Sequence, residues 1–525
     1  MSSFDVLIRG GTVVDGTGGI RTRADVGIRG DRIEAIGDLS DAEAPMAIDA
    51  TGKIVSPGFI DVHNHTDGWL IKKPHFDIKT RQGITTEVLM SDGISYAPVD
   101  KSTAPQWLYY LRSLNALRMD EYTGWETIED YAATIAGRNV QNFCCQVPYA
   151  NVRSLVCGFG EARVNDFHRQ QIEYEVRKGM EHGATGLSTG IDYIVQCHCT
   201  TDDLVDACRA TADHNGVYVT HVRYKLGLLG GIQEAVEIGK RAGVAVHISH
   251  LKIPSLEEAD AILGYIDREA RHALDFSFDA YPYQPGSTML SYILPYEIWN
   301  NGPLGALQFL GDPETRARIA RGLDNYRLPM EKLTLAWVPG KENRCHIGKT
   351  LEEYVEFTGQ STADALIDLL IEERLAVLIV FNEGEDELIR PVLQHDLHIL
   401  GSDGIYFPDS CVHPRVAGSV GRMLGRCVRD WKLFSLEEAV HKVTERAAER
   451  FGMIDRGVLR AAAYADVVVF DEDTINDEAN YEEPLKDTVG VEQVLVNGVR
   501  IIRDGEPVED LGDELPGRYL RYQQS

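Results

Sequence analysis

The sequence lacks the long apolar runs and the leader pattern that would place it in or across a membrane. No apolar run approaches the ~20 residues that a membrane-spanning helix needs. The first residues, Met1 to Val6, lead directly into a strand pattern without the basic and apolar regions of a secretory signal peptide. We therefore expect a cytoplasmic protein that has no membrane partner.

Cysteine is also scarce, and its pattern excludes a disulfide framework. Nine cysteines are scattered over 525 residues, and their number is odd. Free thiols in a reduced compartment are the simpler interpretation. The segment Gln196-Cys197-His198-Cys199 invites a metal-site hypothesis, but no other cysteine pair lies near it in sequence. Free thiols on a loop are the favoured interpretation there as well.

Positive charge is in short supply, because 52 Lys and Arg residues face 81 Asp and Glu residues, a net charge of −29. This balance disfavours nucleic acids, whose binding depends on neutralising phosphates, and anionic membrane surfaces. An anionic substrate would need Arg or Lys side chains placed close to it. The 44% hydrophobic and 25% charged residues are typical of a globular protein.

The two ends of the chain both show the pattern of short β-strands and turns. Residues 4–55 repeat it three times, and residues 465–471 and 491–502 show it again, the latter with an Asn-Gly hairpin turn. We therefore predict one small β-sandwich domain built from residues 1–56 and 456–525.

Between these ends, apolar strands alternate with amphipathic helices. Helical patterns cover, for example, residues 166–182, 201–215 and 231–242. Repeated βα units predict a parallel sheet, and eight of them predict an α/β fold of the (β/α)8 TIM-barrel type over residues 57–455, with its chemistry at the carboxyl ends of the strands. Residues 285–375 break the rhythm, and we interpret them as an insertion over the barrel mouth, a candidate lid. The eight predicted strands are residues 59–65, 85–92, 144–151, 184–190, 217–223, 244–252, 274–281 and 397–403.

Histidines and a carboxylate recur at the ends of four of these strands. His63 and His65 close the first strand, and residues two apart in a strand point to the same side. His221 closes the fifth strand, His250 the sixth and Asp403 the eighth. Each alone has an ordinary explanation, such as a satisfied buried polar group or, for Asp403, a turn residue before a glycine. Their joint recurrence predicts one shared metal site.

Histidine and carboxylate ligands suit zinc or a similar divalent ion. Such an ion acidifies water and polarises a carbonyl oxygen. A neighbouring carboxylate then takes a proton from the water and passes it to a leaving amine, and we assign Asp403 to that role. His247 is placed on the other face of its strand and is predicted to be structural.

Four motifs make the chain similar to a known family over nearly its whole length. Residues 57–65 resemble the first metal motif of the amidohydrolase superfamily. Residues 183–190, residues 279–290 and the His413-Pro414-Arg415 block with its downstream Gly and Arg residues resemble N-acyl-D-amino acid deacylases, the D-aminoacylase family. The resemblance implies hydrolysis of the linear amide of an N-acyl-D-amino acid, a small-molecule substrate that carries a carboxylate.

The resemblance also implies how the metal ligands are grouped. His63, His65 and Asp403 would surround one metal position, and His221 and His250 a second. The ligand that joins them is a cysteine in the family, whereas the matching position here is Asp92. An aspartate is a harder ligand, so one or two zinc ions are expected, with Mn, Fe or Co admitted. Glu87 lies on the same predicted strand as Asp92 and is a poorer candidate for the joining ligand. The fourth strand does not end in a lysine, so a carboxylated lysine is not expected in this role.

The substrate carboxylate needs Arg, Lys or hydroxyl donors. Lys252 and Arg223 each lie two residues past a predicted ligand, and the Tyr-Pro-Tyr block with the serine after it supplies hydroxyl groups. Packing at the barrel rim is the alternative explanation for Tyr281 and Tyr283. Structural pairing with the excess acidic residues explains Arg415 as well as contact with substrate does. A less polar substrate is also expected because Phe159 stands where the family usually has a histidine. The substrate-binding candidates are Lys252, Arg223, Tyr283, Ser287, Tyr281 and Arg415.

Two alternatives stay open at this point. The metal could open a cyclic amide, as hydantoinases and dihydropyrimidinases do, or cleave another amide. A non-catalytic binding barrel is a different class of function, motivated by Asp92 at the joining position. The sequence is compatible with a homo-oligomer.

Overall fold

Both ends of the chain contribute strands to one nine-stranded sheet in this computed structural model, which describes residues 4–326 and 329–523. The junction is β5, which runs parallel to β1 and antiparallel to β18. The shared sheet agrees with the predicted terminal domain, whose arrangement as a sandwich stays a prediction. Numbered in chain order, its strands are β1 (Val6–Val13), β2 (Thr22–Arg29), β3 (Arg32–Gly37), β4 (Met46–Asp49), β5 (Ile54–Pro57), β18 (Val467–Phe470), β19 (Val491–Val496), β20 (Val499–Arg503) and β21 (Glu506–Pro507).

The predicted Asn-Gly hairpin joins β19 to β20 and ties the sheet to the rest of the chain. Asn497 and Gly498 both have positive φ, 49° and 80°, as a two-residue hairpin turn requires. A Cβ on Gly498 would lie 2.1 Å from the carbonyl oxygen of Gly30, so only glycine fits. The side-chain amide of Asn497 donates to Asn142 Oδ1 at 2.7 Å, and Asn142 belongs to the central part of the fold.

That central part is an α/β arrangement of parallel strands, each overlapping one of the eight predicted segments. The third predicted segment is split at Gln146 into β8 and β9. Two parallel sheets result, of order β6-β7-β8 and β9-β10-β11-β12-β13-β17. Backbone hydrogen bonds link the last strand to the first, Val62 N to Leu400 O at 3.3 Å and Asp403 N to His63 O at 2.7 Å. The strands are β6 (Phe59–Asp61), β7 (Ile84–Leu89), β8 (Asn142–Cys145), β9 (Val147–Pro148), β10 (Gly186–Gly190), β11 (Val217–His221), β12 (Ala245–Ile248), β13 (Phe276–Ala280) and β17 (His398–Leu400).

Helices lie between these strands, and several begin at a side-chain cap that the sequence supplies. Asn165 and Thr200 accept hydrogen bonds from backbone N–H groups three residues later, which fixes the starts of the helices Asp166–Glu181 and Thr201–Ala212. The other α-helices outside the insertion are Asp67–Lys72, Asp77–Thr80, Ala104–Tyr110, Arg112–Asn115, Ile128–Ile135, Tyr149–Cys157, Leu228–Ala242, Leu256–Tyr265, Arg271–Ala273, Arg390–Gln394, Arg415–Leu424, Leu436–Lys442 and Glu445–Arg450.

The segment predicted as an insertion carries its own antiparallel sheet, of order β14-β16-β15. Its β16 is the apolar run that follows residue 375, and it places Phe381 opposite Gly286. Its elements are β14 (Gly286–Met289), β15 (Leu333–Trp337), β16 (Leu378–Phe381) and the helices Gly302–Leu310, Pro313–Tyr326, Leu351–Thr358 and Thr362–Glu372.

The inside of the barrel is filled by small apolar side chains from strands around its circumference. Val217 and Val219 alternate with Tyr218 along β11, and Ile399 meets them from β17, while Phe451 packs against this cluster. His221 continues the inward alternation of Val217 and Val219, so β11 delivers its imidazole above this cluster. No helix among the described residues is long and apolar enough to cross a membrane.

Candidate metal centre

The predicted ligands of the first metal position lie together at the carboxyl ends of the strands. His65 Nε2 lies 3.2 Å from Asp403 Oδ1, and His63 Nε2 lies 3.8 Å from the same oxygen. All three side chains are buried, and their ligand atoms lie within 4.8 Å of one another. The structure therefore brings together residues from the first and last strands, as the sequence predicted.

Asp92 lies between these residues and the second predicted group. Its Oδ1 is 3.6 Å from His63 Nε2 and 3.7 Å from His250 Nε2, and its Oδ2 is 3.8 Å from His65 Nε2. His221 completes the group, with Nδ1 3.0 Å from His250 Nε2. Burial and the neighbouring His250 lower the pKa of His221 to about 3, which keeps it in the neutral form that coordinates metals.

The donor set fits a divalent ion by its spacing and by its unpaired atoms. Two donors about 2.1 Å from one tetrahedral ion lie roughly 3.4 Å apart, and the separations here are 3.0–3.8 Å. His63 Nε2 and Asp92 Oδ1, 3.6 Å apart, are buried without a hydrogen-bond partner. Since unpaired buried polar atoms are costly, a cation among them resolves an otherwise unfavourable arrangement. Imidazole and carboxylate donors suit zinc and its neighbours.

A strained turn holds Asp92 in this central place. The 3-10 turn Ser91–Gly93 follows β7, and Met90, Asp92 and Gly93 all have positive φ. Gln196 fixes the turn, because its amide donates to Asp92 O at 3.0 Å and accepts from Gly190 N at 2.8 Å. Gln196, which directly precedes the Cys-His-Cys segment, thus has a positioning role. Cys197 and Cys199 are free thiols.

Asp403, the predicted proton-transfer residue, is held by a buried arginine. Arg415 Nη1 lies 2.7 Å from Asp403 Oδ2, and the same guanidinium donates to the hydroxyl of Tyr281. The Arg415 charge, together with hydrogen bonding to His65, lowers the pKa of Asp403 although burial alone would raise it. Asp403 is therefore an ionised carboxylate whose Oδ1 faces the imidazoles and whose Oδ2 faces Arg415.

Four of the six predicted substrate-binding residues line a cavity of about 390 Å³ over this cluster, namely Lys252, Tyr281, Ser287 and Arg415. Lys252 Nζ donates to the carbonyl oxygens of Gln284 and Pro285, each at 2.6 Å. Burial and the neighbouring Arg415 charge lower the pKa of Lys252. In its protonated form the ammonium group has three donors, so one remains for a ligand, and an anionic ligand favours that form. Ser287 uses its hydroxyl to donate to Ile379 O at 2.7 Å.

The other two predicted substrate-binding residues have partners elsewhere and do not line this cavity. Arg223 pairs with Glu234 at 3.0 Å and donates to Cys199 O. The Tyr283 hydroxyl donates to Asp477 at 3.1 Å, beneath Arg422. Arg223 lies two residues after His221 but does not reach the cavity on the same side of the chain. The reason is that β11 ends at His221, after which the chain enters a 3-10 turn.

The sequence analysis missed the carboxylate that supports the cluster, Asp279 on β13. Its Oδ2 lies 3.4 Å from His63 Nδ1 and 3.0 Å from His247 Nε2, and its Oδ1 accepts from the backbone N–H of His250 at 2.8 Å. His247, predicted to be structural, is buried and bonded to Asp279 and to Ser277. A carboxylate that accepts from one ring nitrogen orients the other toward a metal. The sequence signal that could have identified Asp279 was an aspartate near the end of an apolar predicted strand.

A second missed element is a buried lysine below the first strand. Lys79 is fully buried, and its Nζ donates to Asp61 Oδ2 at 2.6 Å and to Ser402 Oγ at 2.9 Å. Asp61 in turn accepts from the backbone N–H of Ser402 at 2.7 Å. These bonds join the residues that precede His63 and Asp403 and so fix the spacing of the two strand ends. A lysine in an amphipathic stretch gave no signal in sequence.

Two further residues that the sequence analysis singled out, Glu87 and Phe159, do not contact the ligand cluster. Glu87 bonds to Thr66 and Gln141 rather than to the histidines, and burial raises its pKa to about 7. Phe159 packs beside Trp107, 5.4 Å between ring centroids, and does not line the cavity. The expectation of a less polar substrate therefore needs other support.

Comparison with known proteins agrees with this geometry. The amidohydrolase family profile matches residues 341–502. The chain is 34% identical to the D-aminoacylase of Alcaligenes xylosoxydans xylosoxydans over 503 residues, which covers 95% of this chain and 94% of that protein. It is 34% identical to the N-acyl-D-glutamate deacylase of the same organism over 525 residues, 99% of this chain and 96% of that one.

The chain belongs to the D-aminoacylase family of amidohydrolases. The predicted resemblance is thus confirmed. The fold agrees as well, since the N-acyl-D-glutamate deacylase of Bordetella bronchiseptica superposes with a TM-score of 0.84 at 31% identity, over 99% of this chain and 100% of that chain. That protein was solved with zinc and a phosphonate inhibitor that mimics the tetrahedral intermediate of the reaction. The barrel-like part of the predicted fold is therefore confirmed.

The geometry predicts that Asp279 controls metal affinity. Asp279→Asn keeps the side-chain volume but removes the charge that accepts from His63 Nδ1, so we expect zinc to bind 10–100-fold more weakly. Competition with a chromophoric chelator measures this. Glu87→Gln is the matched control, an equally buried carboxylate bonded to no histidine, and should bind zinc like the unaltered protein. Equal affinity in the Asp279 and Glu87 variants would refute the positioning role.

Proposed function

We propose that this protein is a metal-dependent hydrolase that cleaves N-acyl-D-amino acids to a carboxylate and a free D-amino acid. The observation that carries the proposal is the cluster of six predicted ligands around buried, unpaired donor atoms under a cavity lined by Lys252 and Arg415. The family relatives act, by their names, on N-acyl-D-amino acids. The alternative reaction is the opening of a cyclic amide, and the activity panel described below distinguishes the two.

In this proposal the ligands fall into two sets that share Asp92. His63, His65 and Asp403 would hold one divalent ion, and His221 and His250 would hold a second, with zinc as the first choice. A bound ion supplies Lewis acidity, which polarises the scissile carbonyl and lowers the pKa of water to about 7. The retention of all these side chains argues against a non-catalytic binding barrel.

Asp403 moves the proton. Its Oδ1 faces His63 and His65, and its Oδ2 is paired with Arg415 Nη1. In the reaction the carboxylate takes a proton from the attacking water and returns it to the leaving nitrogen. Arg415 keeps this carboxylate ionised and fixes its orientation at 2.7 Å. Because the Arg415 charge lowers the pKa of Asp403, the proton is readily released to the departing amine.

The substrate carboxylate is held at the cationic side of the cavity. Lys252 has one ammonium donor left, and its charge lies 4.3 Å from the centre of the Tyr281 ring. Tyr281 and Arg415 lie on the same side, and Ser287 lines the adjoining wall. Fixing the carboxylate there orients the acyl amide toward Asp403, which is a positioning effect.

We further propose that the terminal strands form a β-sandwich from residues 1–56 and 456–525 around a hydrolase barrel of residues 57–455. The nine-stranded sheet and the antiparallel sheet over residues 286–381 support this division and the placement of an insertion near residues 285–375. A cytoplasmic location and a homo-oligomeric state are compatible with it.

An activity panel tests the proposal. Zinc-loaded protein should release free amine from N-acetyl-D-amino acids, and its rate of amine release from the L-enantiomers should be at least about tenfold lower. Hydantoins and dihydrouracil should stay intact. Amine release by a colour reaction and ring opening by ultraviolet absorbance measure the two reactions on one preparation. Ring opening without amine release would establish the cyclic-amide alternative.

Asp403→Asn should separate metal binding from turnover. The amide oxygen still ligates, but the side chain no longer accepts a proton, so kcat should fall by roughly 10²–10⁴-fold with zinc content unchanged. Elemental analysis and steady-state kinetics measure both. The same substitution at exposed Asp409, in the loop that follows, should change neither. Full activity in Asp403→Asn would remove Asp403 from the proton-transfer role.

Asp92→Ala should lower the number of ions held by the chain, because it removes the oxygens that lie between the two ligand sets. Wild type and variant, each reconstituted with Zn, Mn and Co, are compared by elemental analysis and calorimetric titration. A carboxylate in place of a thiolate also predicts that Mn and Co support activity. If Asp92→Ala kept wild-type stoichiometry and affinity, Asp92 would not be a ligand.

A further inference from the structure

The cavity above the ligand cluster combines a small cationic region with a largely apolar lining. Lys252 and Arg415 line it together with the ligand cluster. The rest of the wall includes the polar side chains Gln284, Ser287 and Thr288 but is mostly hydrocarbon and aromatic surface. The apolar wall residues are Leu114, Leu228, Ile253, Pro254, Tyr292 and Phe381. A cavity of about 390 Å³ is large enough for a small N-acyl amino acid and its side chain.

Its supply of positive charge is enough for one carboxylate. Among the described residues that line the cavity, Lys252 and Arg415 are the Lys and Arg side chains. Arg415 already faces Asp403 Oδ2 and Tyr281, and Lys252 spends two of its three donors on backbone carbonyl oxygens. The α-carboxylate of a substrate would use what remains.

Neighbouring cations are held away from the cavity. Arg223 is paired with Glu234, and the ammonium group of Lys225 lies 3.4 Å from the ring centre of Tyr296. Tyr224, between them, does line the cavity but presents an aromatic ring. A second substrate carboxylate would therefore lie against apolar surface, inside a chain whose net charge is −29.

We propose that the substrates carry a neutral, apolar D-side chain, and that N-acyl derivatives of D-glutamate and D-aspartate are excluded. The inference rests on the proposed function and narrows it. The apolar wall stabilises a buried hydrocarbon side chain, whereas a carboxylate buried there without a cation beside it loses hydration that neutral side chains do not fully replace.

The test compares substrates matched in size and differing in charge. Zinc-loaded protein is assayed with N-acetyl-D-methionine, N-acetyl-D-glutamine and N-acetyl-D-glutamate. We expect kcat/KM to fall in that order, with glutamate at least about 100-fold below methionine and glutamine between them. The low value for glutamate should persist in 0.5 M NaCl, since screening weakens the general repulsion by net charge but supplies no local partner.

Two results would overturn the inference, and they differ from each other. N-acetyl-D-glutamate cleaved as well as N-acetyl-D-methionine would refute the apolar specificity and leave the proposed function intact. Cleavage of none of the three would refute the proposed function and this inference with it.

A substitution in the wall locates the specificity. Phe381 on β16 faces Gly286 beside Lys252, and Phe381→Ala should lower kcat/KM for N-acetyl-D-phenylalanine about tenfold, as expected for loss of buried apolar contact. The loss for N-acetyl-D-alanine should be smaller, because its methyl group does not reach the wall. Phe357→Ala, at a phenylalanine 70% exposed elsewhere, is the control and should match wild type. Equal losses on both substrates would refute the assignment of Phe381.

Discussion

Three aspartates are buried within 4 Å of one imidazole, and the rest of the site depends on how their charge is balanced. Asp279, Asp92 and Asp403 lie 3.4, 3.6 and 3.8 Å from the ring nitrogens of His63. Ionised carboxylates this close repel one another and lose hydration, so the interior must supply positive charge. Arg415, which is paired with Asp403, and a bound cation are sources of this charge. The requirement explains why a fully buried arginine stands beside Asp403.

The backbone at the strand ends accepts unfavourable conformations to assemble this cluster. Asp92, His250 and Asp403 have φ values of 58°, 36° and 50°, in the left-handed region that side chains rarely adopt. Such residues persist where surrounding contacts fix them, and each is fixed here. Gln196 holds the Asp92 carbonyl, Asp279 holds the His250 amide, and the His63 carbonyl holds the Asp403 amide. Strain at three ligand positions is consistent with a site selected for function rather than stability.

Sequence reasoning recovered the parts that repeat along the chain. Each barrel strand overlaps its predicted segment, because buried parallel strands are continuous apolar runs bounded by polar residues. His221 follows the inward alternation of Val217 and Val219 along β11. The first strand is different, since Ile60 and Val62 belong to the interior cluster, the strand ends at Asp61, and the chain bends at His63 before it reaches His65. There the two histidines lie together beside Asp403 although strand alternation does not explain it.

The parts that sequence could not supply come from contacts between distant segments. Arg223 and Tyr283 were assigned to substrate from spacing and motif, but Glu234 and Asp477, 11 and 194 residues away, hold them elsewhere. Asp279 carries its role only because β13 lies between β12 and β17, which places it against His63 and His247. No local pattern encodes such a partner, since strand order determines which side chains meet.

The substitution of Asp92 for the family cysteine takes its meaning from this crowded geometry. A thiolate offers one donor atom to two ions, whereas a carboxylate offers two oxygens that face different neighbours, Oδ1 toward His63 and His250 and Oδ2 toward His65. The negative charge is thereby spread over both ligand sets instead of being concentrated at one atom. Oxygen donors also interact less selectively with soft ions than sulfur does. Because Gln196 holds the Asp92 carbonyl, the turn fixes this carboxylate between His63, His65 and His250, where a cysteine would present a single sulfur atom.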